Sequence, residues 1–160
     1  MAIGNEQILT GLDDDQLAVV TAIRGPVCVI AGAGTGKTRV ITNRIAYAIN
    51  SGVTDPTKVL ALTFTARAAG EMRARLRTLG VPNVAARTFH SAALKQLLYF
   101  WPYSFGGQFP TLLTTKSGFI SQAIERAEIA IPAQAASLRE IASEIEWAKV
   151  LEISPDAYQD

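Results

Sequence analysis

Along the chain, apolar residues fall into two groupings: helical spacing, and short unbroken runs that suit buried strands. Asp13 followed by Gln16 forms a capping-box pattern and predicts a helix over 13–23, which Gly25-Pro26 breaks. "PVCVIA", residues 26–31, is continuous and rich in valine and isoleucine, so it predicts a fully buried strand with Cys28 inside it. A glycine-rich turn follows. The next helix runs from Thr38 to about Asn50, with Ile41, Ile45, Ala48 and Ile49 on one side and Ser51-Gly52 as its stop. "KVLALTFT", 58–65, predicts a second buried strand, and Ala69, Met72, Leu76 and Leu79 predict a helix ended by Gly80. "NVAARTF" is a weaker third strand leading into "SAALKQLLYFW", where Leu94, Leu97, Leu98 and Trp101 mark another helix.

Strand, helix, strand, helix, strand, helix is the rhythm of an α/β fold with a parallel sheet and right-handed crossovers. It changes at 102–113, where two prolines and Gly106-Gly107 predict a hinge. Beyond it, 115–131 and 137–151 read as amphipathic helices. The second has a Ser137–Glu140 capping box and buries Leu138, Ile141, Ile145 and Ala148 or Leu151. The expected division is therefore 1–105 and 106–160.

Composition adds limits. A chain of 160 residues, 49% hydrophobic and 18% charged, suits one globular domain rather than a disordered segment. One cysteine forbids an internal disulfide and suits a reducing cytoplasm. Acids at Glu6 and Asp13 to Asp15 occupy the place of a basic leader, and no apolar run approaches membrane-spanning length. The net charge of +1 conceals an asymmetry. Residues 61–95 carry Arg67, Arg73, Arg75, Arg77, Arg87 and Lys95 against Glu71 alone, whereas 125–160 carry eight acids against three bases. The basic stretch is either a solvated helix face or a polyanion footprint.

The chemistry concentrates in "AGAGTGKT", residues 31–38. Its Gly36-Lys37-Thr38 ending, between a predicted strand and a helix, fits a Walker A loop. Gly32, Gly34 and Gly36 allow the backbone between Ala31, Ala33 and Thr35 to turn its N–H groups inward around phosphate oxygens. The helix N-terminus adds its partial positive charge. In such a loop Lys37 reaches the β and γ phosphates and the Thr38 hydroxyl ligates Mg²⁺, which makes these two the catalytic candidates. Ala31 stands where glycine is usual; a small residue with negative φ can serve there.

Four ordered segments carry a family resemblance. "VCVIAGAGTGKTRVITNRIAYAI" resembles the Walker A region of superfamily 1 DNA helicases of the UvrD/PcrA/Rep type, with actinobacterial UvrD-like proteins as the expected nearest relatives. "LDDDQLAVV" resembles their Q motif, with Asp13 for the usual asparagine and Val19 for the usual alanine. "LTFTARAAGEMRARL" resembles motif Ia, with Ala66-Arg67 for asparagine-lysine, and "ARTFHSAAL" resembles motif Ib. "WAKVLEISPDAY" is similar to the helical subdomain inserted in the first motor domain. The resemblance implies the first half of a RecA-like motor domain, 1A, followed by the start of a helical 1B-type subdomain.

It also implies roles. Gln16, otherwise explained by the capping box, would read the adenine edge of ATP, and Arg39 either lies against the base or faces solvent. Phe64 would stack on single-stranded DNA, Thr63, Thr65 and Arg67 would touch its phosphates, and Thr88, Phe89 and His90 would line the same track. Arg73, Arg75 and Arg77 would add diffuse attraction. The implied activity is ATP-driven 3′-to-5′ movement on DNA, in repair or replication, at single-stranded regions and their junctions with duplex. No apolar strand ends in the paired acids of a Walker B motif, and the closing "YQD" lacks that context. The 160 residues are therefore expected to be part of a longer motor, unable to hydrolyse ATP or unwind DNA without the rest. The alternatives are a motor segment of a RecB/AddA-like helicase-nuclease, a small P-loop kinase, and a non-catalytic nucleotide- or DNA-binding module.

Overall fold

The structure, a computed structural model, describes residues 3–32, 34–128 and 135–158, the side chains of 135–137 excepted. It divides into two compact units, one ending at Gln108 and the other beginning at Phe109.

Two short helices open the first unit, α1 (Asn5–Leu9) and α2 (Asp14–Thr21). The Asp13 carboxylate caps α2 by accepting the Gln16 N–H at 2.8 Å. The reciprocal half of the predicted capping box is not made, because the Gln16 carboxamide donates to the Thr35 carbonyl at 3.3 Å. Helix α3 (Lys37–Asn50) packs on both, and polar clips fix it there. Buried Asn43 donates to the Ile8 carbonyl at 2.7 Å, and the Arg44 guanidinium donates twice to the Ala22 carbonyl at the end of α2. These bonds decide which face of α3 turns inward: Val40, Thr42, Asn43 and Ala46 are buried, while Ile41, expected inside, is 47% exposed.

The predicted strand at 26–31 does not form. Cys28 is exposed, Val27 and Val29 are more than a third exposed and Ile30 is 98% exposed. A strand depends on a ladder partner, and among the described residues the sheet contains only β1 (Leu60–Thr63) and β2 (Ala85–Thr88). Strand β1 also starts later than expected. Asp55 accepts from the Thr57 N–H at 2.7 Å and from its hydroxyl, turning Pro56–Lys58 into one 3₁₀ turn. The same bonds, the hydroxyl's foremost, hold the Asp55 carboxyl below its ordinary range.

The strands pair in parallel, Ala61 beside Ala86 and Thr63 beside Thr88. Crossover helix α4 (Ala66–Thr78) buries Ala69, Met72 and Leu76 against them. The core gathers Ile8, Ala46, Ala61, Met72, Leu76, Val81, Val84 and Ala86. The opposite sheet face is open at Leu60 (47%) and Leu62 (37%), so β1 is buried on one side only. Helix α5 (Phe89–Ser104) buries Ala92, but Leu97 and Leu98 are more than 40% exposed. It continues through Pro102, where the sequence predicted a hinge.

In the second unit α6 (Ser117–Arg126) packs on α7 (Ala135–Val150). Residues 129–131 of the predicted first helix, and the Ser137 side chain of the predicted capping box, lie outside the described residues. Lys116 bonds Glu146 and keeps its carboxyl below the ordinary range, chiefly through that hydrogen bond. Tyr158 donates to Glu144 at 2.7 Å. Leu138, Ile141 and Ala148 are half-buried, whereas Ile145 and Leu151 are exposed.

Leu76 is 1% exposed in the core, so Leu76→Ala should cost about 2–5 kcal/mol in urea unfolding. Ile30→Ser, at the exposed predicted strand, should change the same measurement by less than about 0.5 kcal/mol.

Candidate nucleotide and nucleic-acid site

The turn before α3 is built around Gly34 and Gly36, with φ of +81° and +82°. That left-handed geometry is strained for any other residue type, and Gly36 uses it to cap α3 without a side-chain bond. Thr35 closes the turn by donating its hydroxyl to the Gly32 carbonyl at 2.9 Å. The Lys37 ammonium lies back across the loop and donates to the carbonyls of Ala31, at 3.0 Å, and Gly32. The first intrahelical amide bond is Val40 N–H to the Gly36 carbonyl, so the amides of 37–39 open the helix. Its first turn contains no acid. Ala33 lies outside the described residues.

Two cavities flank this turn, and they differ in charge. One, of about 300 Å³, is walled by Val19, Val29 and Ile30, with Asp13, Asp15 and Gln16 at its polar margin. The other, of about 330 Å³, is lined by Gly34, Gly36, Lys37, Thr38, Arg39 and Arg75, three cations and no carboxylate. Lys37 borders both. Arg39 does not face solvent freely: it is half-buried, and its guanidinium donates to the Thr10 carbonyl at 3.1 Å. Arg75 was expected only to add diffuse attraction. Its position beside the buried Met72 and Leu76 on α4 could have suggested a neighbour, but not which one. Arg73 is a structural clip, donating to the Ala86 carbonyl at 2.7 Å. Among the described residues no three carboxylate, histidine or cysteine side chains gather into a metal-binding group.

The other candidate residues sit at the carboxyl ends of the two strands. Because Thr63 pairs with Thr88, the following residues Phe64 and Phe89 emerge side by side. Their rings lie 5.1 Å apart at 46°, with Phe64 85% and Phe89 47% exposed. His90 is exposed beside them. Each strand then turns into a helix capped by a threonine: Thr65 accepts from Ala68 N–H, and Thr88 from Ser91 N–H, both at 3.1 Å. Those hydroxyls have structural work that the motif reading did not assign. Neither helix has an acid in its first turn, so both present positive ends toward the aromatic pair. Arg67 is exposed and pairs with Glu71 at 3.1 Å.

Known proteins share this sequence pattern. The chain is 48% identical, over 99% of its length, to the ATP-dependent DNA helicase UvrD2 of Mycobacterium tuberculosis (strain ATCC 25618 / H37Rv). It is 47% identical over 58% of its length to a probable DNA helicase II homolog of Mycoplasma capricolum. It is 41% identical over 58% of its length to the ATP-dependent DNA helicase PcrA of Bacillus subtilis (strain 168). It spans 23% of the length of UvrD2 and 13% of the other two. Residues 12–160 match the UvrD/REP helicase N-terminal domain, from the Asp13 cap through the glycine turn and the paired strand tips, and the chain belongs to that family.

Proposed function

We propose that these residues form the nucleotide-binding and part of the DNA-binding surface of an ATP-dependent 3′-to-5′ DNA helicase. The observation that carries the reading is the division around the loop: Gln16 and an apolar wall, with Asp13 and Asp15 at its margin, on one side, and Arg39 and Arg75 on the other, with Lys37 bordering both. A nucleoside triphosphate has the same division. Its base fits the side of Gln16 and Val19, and its phosphates fit the amides of 37–39, the helix N-terminus and Lys37. Gln16 suits adenine because a carboxamide can both donate to and accept from its edge. Lys37 lies across the loop on the Ala31 and Gly32 carbonyls, and a phosphate oxygen in the turn would compete for the same ammonium.

Mg²⁺ would find the Thr38 hydroxyl at the helix start and complete its shell with phosphate oxygens and water. When bound it would neutralise phosphate charge. Among the described residues no carboxylate lines the cavity that Thr38 borders. Hydrolysis also requires a carboxylate to orient the attacking water, and no sequence segment here ends a buried strand in paired acids. The 160 residues on their own therefore bind nucleotide without turnover, which also suits a non-catalytic binding module. The rest of a motor would supply the missing groups.

On the DNA side, Phe64 and Phe89 offer adjacent ring faces, and the ends of α4 and α5 attract phosphate. Such a platform accepts any base sequence and favours single strands, including those beside duplex junctions.

Fluorescent ATP titrated into the 160-residue chain should bind, and Lys37→Ala should remove that binding while leaving oligo-dT affinity within about twofold. Measurable ATP turnover by the unaltered 160 residues, lost in Lys37→Ala, would reject the non-hydrolytic reading. Gln16→Ala should erase a preference for ATP over GTP in the same titration. Phe64→Ala should weaken oligo-dT binding by about 1–3 kcal/mol, read by fluorescence anisotropy.

A further inference from the structure

We propose that the open face of the sheet carries a separate docking pocket, which takes an acidic segment of another protein through one bulky apolar side chain. The pocket encloses about 300 Å³ toward the amino ends of the two strands. It is bordered by Lys58 and Leu60 at the start of β1, by Ala85 and Arg87 on β2, and by Lys95 and Tyr99 on α5. Phe64 and Phe89 leave the opposite ends of those strands, and no residue of the glycine turn lines the pocket. The proposal is therefore independent of the nucleotide and DNA readings.

Strand register places a cation on an apolar face. Leu60 pairs with Ala85 and Leu62 with Arg87, so Arg87 leaves β2 on the side of the two leucines, away from buried Ala61 and Ala86. There it is half-buried. Among the described residues neither Arg87, Lys58 nor Lys95 makes a side-chain hydrogen bond or ion pair. Arg73, reaching the sheet from α4, shows the contrast, since the Ala86 carbonyl holds its guanidinium. No carboxylate lines the pocket. Three cations around one hollow repel one another, and a half-buried guanidinium without a partner is costly, so an anionic occupant relieves both. Charge alone does not describe that occupant, because the floor is aliphatic, with Val59, Leu60 and Ala92. Tyr99 and Phe100 form one wall, their rings edge to face at 5.0 Å, and they stay 66% and 55% exposed. A free inorganic anion would leave this floor wet. A nucleic-acid strand needs ring faces in a row for successive bases, whereas this hollow admits one group. An acidic peptide meets both demands: its carboxylates reach the cationic rim, and one aromatic or branched side chain fills the floor.

The test is fluorescence anisotropy of the 160-residue chain with a short fluorescein-labelled peptide that carries one phenylalanine between runs of aspartate. The native chain should bind it, and alanine in place of that phenylalanine should weaken binding about tenfold. Lys95→Glu, at an exposed position where the fold tolerates it, should weaken binding of the phenylalanine peptide about tenfold or more. Arg87→Gln should act in the same direction, and Arg87→Lys should recover part of the affinity. Arg24→Glu, the same reversal of charge at an exposed site elsewhere, should stay within about twofold. Oligo-dT affinity should fall no further in Lys95→Glu than in Arg24→Glu. Equal binding of the phenylalanine and alanine peptides would reduce the site to diffuse attraction and overturn the proposal. Absence of peptide binding by the native chain would do the same. A loss of oligo-dT affinity in Lys95→Glu as large as the peptide's would give the pocket to nucleic acid instead. Self-association in sedimentation velocity, removed by Lys95→Glu, would give it to a second copy of the chain and equally reject the proposal.

Discussion

The parallel pairing of Leu60–Thr63 with Ala85–Thr88 governs where the chemistry of the first unit sits. Two parallel strands cannot be joined by a tight turn, so α4 must cross over, and both carboxyl ends finish on the same edge. Each end hands over directly to a helix through a threonine cap. One register thus gathers two aromatic rings, two helix N-termini and an exposed histidine. A slip by one residue would send Phe64 and Phe89 to different levels and separate the rings.

A second constraint joins the N-terminal helices to the glycine turn. Gln16 reaches the Thr35 carbonyl, and Arg39 reaches back to the carbonyl of Thr10. These bonds run in opposite directions between the segments, and they hold the α2 wall against the glycine turn. A Cβ added at Gly36 would lie 3.5 Å from the Gln16 amide nitrogen, an ordinary contact. Glycine is needed there for its positive φ more than for room.

Much of this was legible in the sequence, and the failures share a cause. The helices around Met72 and Leu76 and after Gly36 were clear because caps, glycine stops and apolar spacing are local signals. The parallel pairing followed from the strand–helix rhythm. Burial was overestimated wherever it depended on a distant partner. Among the described residues, 26–31 have the composition of a central strand but no ladder beside them, and Leu97 and Leu98 have helical spacing but stay more than 40% exposed. Ile41 lost its place to Asn43 because a polar bond to the Ile8 carbonyl set the rotation of α3. The loop itself was plain from Gly36-Lys37-Thr38. The position of Arg75 was not, since no spacing rule says which neighbouring helix a flanking side chain meets.

The unpaired run at Val27, Val29 and Ile30 has a further consequence for the molecule in solution. A β-prone, uncharged segment without a ladder partner among the described residues is a template for a strand from another copy, as an uncovered sheet edge is. Association of that kind rises with concentration, and no charged gatekeeper interrupts the stretch between Pro26 and Lys37. Association through this six-residue run would lower the solubility of the 160 residues without any change in the buried core.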